Sequence, residues 1–497
     1  MTTTTHAPVG DWSPEQLRAH GRDALDRICE HFDSLDDTPV TTSHGAEHIL
    51  DEIDTELPCD ATAFDDILTD TWNIVVPNLT QWNHPRFHAY FSNSSSGPAI
   101  LAELTAAALN VNVMLWRSAP SAAAVERTVT RWLAELLDYP ARDALLVDGA
   151  SLGTFYALAA ARHHAQPDVR IHGTSGQKPG RIYTSDQAHS SIDKAAIALG
   201  IGLDNVVRIP TTEVNTLDPN QLATRMSDDV SAGFTPIAVV ATVGTTTSGA
   251  LDPVEDIAAV CRERGVWLHV DAAYGGFWRI APTITRALPS LSAADSMVAN
   301  PHKVLYTPME CGALFCRHPG ALETAFTLIP EYLRTEATGG IDYMNHTLNL
   351  GRQFRALKLW WTLRAFGVRG IASRLEHSLA LAAQLRQLTA GDRRWTLANH
   401  SPLPLLCLRV ADDIAGSGAD AATRQVLELV NSTHRTLLSH SELDGRYVVR
   451  VSIGNIHTTA EHIEQLFTEL SAALDTVVGT SHDLFPASDA PQEVSAS

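Results

Sequence analysis

The chain is poor in lysine. Only Lys178, Lys194, Lys303 and Lys358 occur among its 497 residues, so any lysine chemistry must come from four candidates. Basic residues are outnumbered as well: 36 Lys and Arg stand against 57 Asp and Glu, a formal net charge of −21. Nucleic acid and anionic membrane both require a basic face, so neither is an expected partner. Long apolar runs are missing, and none reaches the roughly 18 to 20 residues that cross a bilayer. The opening MTTTTHAPVGDWSPEQ has no basic or apolar stretch and does not read as a signal peptide. Six scattered cysteines without a CxxC pair suit a reducing cytoplasm. The 22 histidines show no HExxH and no histidine–carboxylate cluster, so no metal is expected. No GxGxxG opens a βα unit, which argues against NAD.

What is present is an ordinary globular composition, 44% hydrophobic and 19% charged, in a chain long enough for about three structural units. Residues 13–34 predict an amphipathic helix, with Ser13 as cap, Pro14 behind it, Gln16 three residues on, and apolar positions at Leu17, Ala24, Leu25, Ile28 and Phe32. An irregular stretch to about residue 95 precedes helical patterns in ILAELTAAALNVNVMLW and SAPSAAAVERTVTRWLAELLD. From about residue 143 short apolar runs alternate with amphipathic helices, from ALLVD through RIYTS, NVVRI, PIAVVATVG, VWLHVDAA and DSMVAN to GALFCR. That alternation predicts an α/β fold with a mostly parallel sheet covered by helices. A long helix, GRQFRALKLWWTLRAFG, leads to a small C-terminal α+β unit containing RYVVRVSIGN and a last helix near 459–475. The expected organisation is an N-terminal helical segment at 1–95, a large domain at 96–375, a small domain at 376–478, and a polar, disordered tail at 479–497.

Ligands of open α/β sheets bind at the carboxyl ends of the strands, so the residues just after each strand carry the most information. After ALLVD, Gly149-Ala150-Ser151 opens a helix, where free N–H groups favour a phosphate or serve merely as a tight turn. After VVATVG comes Thr245-Thr246-Thr247. Asp271 ends VWLHV, either as a structural cap or ion pair or as a carboxylate awaiting a protonated ring nitrogen. Lys303 leaves a buried strand beside Val304 and Leu305, where desolvation lowers an amine's pKa and makes it a Schiff-base former. Lys178, Lys194 and Lys358 sit in settings expected to be solvated. His189 begins another sheet-covering helix. Together a phosphate cradle, an aspartate, an imidazole and a desolvated lysine are the parts pyridoxal phosphate needs.

Four segments, HPRFHAYF, YTSDQAHSSIDKAA, LHVDAAYGG and NPHK, resemble the group II pyridoxal-dependent amino-acid decarboxylases, which act on aromatic amino acids, histidine or glutamate. The resemblance runs from about residue 15 to 475 and implies a fold-type I transferase-like architecture. It implies that Lys303 binds pyridoxal 5'-phosphate covalently, Asp271 pairs with its ring nitrogen and His189 stacks on its face. Ala150, Ser151, Asn300 and His302 would contact the phosphate, with Thr246 and Ala273 close to the ring. A homodimer with the site near its interface is also implied.

In the family a loop tyrosine is tied to protonation of the product carbon, and Tyr332, followed by Gly339-Gly340, stands at the matching place. The substrate pocket is expected from Tyr90, Phe91, Asn93, Asn112 and Met114, a mixed lining that suits an aromatic amino acid or a larger amino-acid conjugate. Departures from the family pattern fall at Ala123, Ala124, Leu152, Val304 and Thr347. The expected activity is decarboxylation of an L-amino acid. The alternatives are decarboxylation coupled to oxidative deamination, β-elimination from an S-substituted cysteine, and an idle paralogue kept as an interaction protein.

Overall fold

Seven short, nearly fully buried runs build the central sheet: β1 (Asp143–Val147), β2 (Gly180–Ser185), β3 (Val206–Ile209), β4 (Thr235–Thr242), β5 (Trp267–Asp271), β6 (Ser296–Ala299) and β7 (Gly312–Cys316). The structure, a computed structural model, describes residues 10–328 and 340–484. Strand order is β1-β7-β6-β5-β4-β2-β3. β3, β2, β4, β5 and β6 are parallel, while β7 runs antiparallel to both β6 and β1. Helices cover both faces, so the strands need no polar side, and their runs are apolar without alternation.

The register decides where chemistry can sit. Thr242 pairs with Asp271 and Asp271 with Val298, so the carboxyl ends of β4, β5 and β6 lie level. Because β7 is reversed, its first residue, Gly312, pairs with Val147 at the carboxyl end of β1. Five neighbouring strands, β1, β7, β6, β5 and β4, therefore present their turns at one edge of the sheet.

A second sheet, all antiparallel, has the order β10-β11-β9-β8, from β8 (Trp395–Leu397), β9 (Leu405–Val410), β10 (Ser439–Leu443) and β11 (Arg446–Ser452). The helix Ala356–Ala390 serves both sheets. Its Leu359 and Leu363 enter the core of the large sheet, and Leu381 and Leu385 that of the small one. Gly367, at φ 63°, kinks it between the two, and the boundary expected at 375 lies inside its second half.

Three element ends differ from the sequence reading. The helix expected through Trp116 stops at Leu109, because Asn110 takes a left-handed conformation (φ 45°), and a short polar side chain tolerates that region best after glycine. The last helix runs Ala460–Leu484, into the stretch expected as a tail, while residues 485–497 lie outside the described residues. The helix Pro14–Ser34 forms with the expected Ser13–Gln16 capping box, yet buries none of its residues.

Candidate active site

At the level carboxyl ends of β4–β6 lies a crevice of about 270 Å³. All nine residues expected to hold the cofactor line it: Ala150, Ser151, His189, Thr246, Asp271, Ala273, Asn300, His302 and Lys303. Phe91 closes one side.

The turn after β1 is built for close approach. Gly149 caps the helix Ala150–Ala165 without a side-chain hydrogen bond, so the first N–H groups face the crevice. A Cβ on Gly312 would stand 2.7 Å from the Gly149 Cα and 2.9 Å from Asn300 Oδ1, so only glycine lets the two turns meet. His302 lies against Gly149, and its Nδ1 accepts the Cys311 N–H at 2.9 Å, which leaves Nε2 as the ring's donor. Burial pushes the His302 pKa down to about 3, and the nearby Lys303 charge adds to that. Asn300 is buried and its Oδ1 has no partner among the described residues; turning the amide over presents Nδ2 there as a donor instead.

Asp271 ends β5, is 6% exposed, and accepts one side-chain hydrogen bond, from the Ala273 N–H at 3.0 Å. No cation lies within ion-pair reach of it among the described residues, so its second oxygen is free for a ligand. His189 accepts the Ser191 N–H on Nδ1 at 3.1 Å, which again leaves Nε2 to donate. Desolvation lowers its pKa, with Asp271 pulling it back and Lys303 adding to the fall.

Lys303 follows β6 on a single helical turn, Pro301–Val304. Its Nζ lies 4.3 Å from the centre of the Phe91 ring. Desolvation brings its pKa down to about 8, opposed by Asp271 and helped by Arg450. Arg450 was not foreseen. It is 3% exposed on β11, packs over the same Phe91 ring at 4.6 Å, and donates from Nε to the Thr246 carbonyl at 2.7 Å. It also donates to the Tyr90 carbonyl, and its Nη2 is buried without a partner among the described residues. The available signal was an arginine inside RYVVRVSIGN, where both neighbours are buried valines.

Other expectations need correction. Tyr90 has φ 53° and stacks on Trp82, away from the crevice. Asn93, Asn112 and Met114 do not line the crevice within one chain; Asn112 Oδ1 instead accepts the Arg352 N–H at 2.9 Å. Lys358 is not solvated: it is 3% exposed, pairs with Glu103 and donates to the Pro308 carbonyl at 3.2 Å. Ala123 and Thr347 are buried away from the crevice, Ala123 in the apolar core and Thr347 donating to the Asn349 carbonyl at 3.0 Å. Tyr332 and Gly339 lie outside the described residues. Histidines and carboxylates do cluster, at His44, His48 and Glu52 and at His20, Asp23 and Asp65, both away from this crevice.

These donors fit pyridoxal phosphate: an uncapped helix start and a histidine donor for a phosphate, an unpaired carboxylate for a protonated ring nitrogen, and a desolvated amine. Comparison with known proteins agrees. Residues 46–411 match the model of the pyridoxal-dependent decarboxylase conserved domain. The chain is 29% identical to an aromatic-L-amino-acid decarboxylase of Catharanthus roseus, covering 95% of this chain and 97% of that protein. It is 30% identical to a phenylacetaldehyde synthase of a Rosa hybrid cultivar, covering 94% and 95%. The crystal structure of Oryza sativa TDC with PLP and tryptamine superposes with a TM-score of 0.91 at 29% identity, over 95% of this chain and 100% of that one. The chain belongs to the pyridoxal-dependent decarboxylase family, and is a carboxy-lyase that works with pyridoxal phosphate.

Proposed function

We propose that this enzyme removes the α-carboxylate of an L-amino acid with an aromatic or larger conjugated side chain and releases the amine. The observation that carries this is the convergence of Lys303, Asp271, His189 and an uncapped helix start in one crevice. Pyridoxal phosphate supplies an electron sink for the pair left when the Cα–carboxylate bond breaks. Lys303 is the residue that holds it covalently, since an amine with a pKa of about 8 is partly neutral near pH 7. Asp271 would keep a proton on the ring nitrogen, the Ala150 and Ser151 N–H groups with Asn300 and His302 would hold the phosphate, and Thr246 and Ala273 would lie by the ring. His189, with Nε2 left as its donor, would cover the ring face. Phe91, beside Lys303, shuts out water from the crevice, which favours turning a charged carboxylate into neutral CO₂. Tyr332 is assigned the return of a proton to Cα.

A homodimer is part of the same reading. The helix Pro14–Ser34 buries nothing, and Leu17, Leu50, Leu101 and Leu104 are exposed, as a second copy's contact surface would leave them in one chain. No helix among the described residues is long and apolar enough to cross a membrane, and all six cysteines are free, which supports a reducing, cytoplasmic setting.

A second reading, decarboxylation with oxidative deamination to an aldehyde, is favoured by the 30% identity to a phenylacetaldehyde synthase, level with that to the decarboxylase. One experiment separates them. The purified enzyme is given a panel of aromatic and conjugated L-amino acids while CO₂, O₂ and products are followed. Amine and CO₂ without O₂ uptake supports the first reading; aldehyde, ammonia and O₂ uptake establishes the second.

A further inference from the structure

Far from the crevice in sequence, residues 42–78 place three ligating side chains on one face. His44 precedes the helix Ala46–Ile53, and His48 and Glu52 follow at intervals of four, which stacks them along that helix. One ligand atom from each lies within 4.8 Å of the other two. The His44 and His48 rings meet edge to face with centroids 4.2 Å apart, and His48 Nε2 stands 3.4 Å from Glu52 Oε1.

Asn78 orients two of the three. Its Oδ1 accepts from His44 Nδ1 at 3.0 Å, which fixes the tautomer and leaves the Nε2 lone pair outward. Its Nδ2 donates to Glu52 Oε2 at 3.0 Å, leaving Oε1 facing His48, and to the Ile74 carbonyl at 2.9 Å, which anchors the amide to the backbone. A second hydrogen bond to Oδ1, from the Thr42 hydroxyl at 3.1 Å, completes the set.

We propose that His44, His48 and Glu52 form a binding site for a divalent transition-metal ion of the zinc class, supported from behind by Asn78. Two imidazoles and one carboxylate suit zinc better than calcium or magnesium, which take oxygen ligands. Zinc bonds of about 2.0–2.2 Å require the three atoms to draw together. All three side chains are exposed, so a change of rotamer achieves this without repacking. Three protein ligands leave one position for water. The ion would fasten His44, just before the helix Ala46–Ile53, to His48 and Glu52 on that helix, and the site is independent of the catalytic reading.

The test is zinc titration of the cofactor-loaded enzyme by calorimetry, with thermal unfolding alongside. Wild type is expected to take up one saturable equivalent of Zn²⁺ and to unfold at a higher temperature with it. His48→Ala and Glu52→Gln should each lose that equivalent and the thermal shift, while keeping the visible cofactor band and metal-free activity. Asn78→Ala should weaken binding by about 10- to 100-fold. Wild-type binding in His48→Ala, no saturable equivalent in wild type, or loss of the equivalent in His20→Ala instead would overturn the proposal.

Discussion

A lysine at its ordinary pKa near 10.4 is neutral in well under about one molecule in a thousand at pH 7, whereas one at about 8 is neutral in about a tenth. Lys303 gains that difference from desolvation, and its neighbours adjust it: Asp271 raises the value and Arg450 lowers it. The rate at which apoenzyme takes up cofactor, followed by visible absorbance, should therefore rise with pH around a midpoint near 8. Asp271→Asn should move that midpoint down and Arg450→Met should move it up; a midpoint near 10 in wild type would refute the account. His189→Ala should keep the cofactor band while kcat falls about 10²-fold, the cost of losing a group that positions the reacting atoms, whereas Lys303→Ala should lose band and activity together. Wild-type kcat in His189→Ala would remove that residue from the mechanism. Lys303 and Asp271 were legible because each closes or follows a short apolar run, where a polar residue stands out, while His189 was legible only together with them and the segment YTSDQAHSSIDKAA. Arg450 was not, since its role comes from β11 packing across Phe91, hundreds of residues away in sequence. Lys358 was misread because a long helix does not announce which face it buries.

The crevice depends on two turns touching, and glycine at Gly312 is what permits it. A methyl group there meets backbone at Gly149, which no rotamer change relieves. Gly312→Ala should cost about 1–3 kcal/mol in stability and loosen the cofactor, read as a lower melting temperature and a higher dissociation constant on dialysis. Unchanged retention of cofactor would show that the Gly149 turn does not hold the phosphate. The strands themselves were readable, because burial on both faces gives continuous apolar runs in β4 to β7. Their order and the reversal of β7 were not, since an apolar run carries no direction. The same limit applies at Asn110, where apolar residues continue past the helix end but one left-handed residue stops it.

Histidine burial belongs to the whole molecule, because it depends on elements brought together from distant parts of the chain. His84, His88, His269 and His302 are buried, and desolvation is the largest cause of their lowered pKa values, about 4, 3, 4 and 3. In the unfolded chain each takes up a proton near pH 6.5, while the native state holds them neutral. Stability from this source is therefore complete above about pH 6.5 and declines as pH falls, until the native state itself is protonated near 3 to 4. Each histidine contributes up to about 1.4 kcal/mol per pH unit in that window. Asp252 works the other way: buried, with its pKa raised to about 6, it binds a proton in the native state before the unfolded chain does. These histidines, with His31, His163, His189 and His457 lowered in the same direction, outweigh Asp252 and leave a net loss on acidification. Thermal unfolding measured from pH 8 to 4.5 should show a melting temperature that holds above pH 6.5 and drops with increasing steepness below it. His269→Gln should make that drop shallower by removing one proton from the difference, whatever it does to stability at pH 8. A melting temperature flat to pH 5 would mean that these histidines are hydrated in solution and that their desolvation does not govern acid stability.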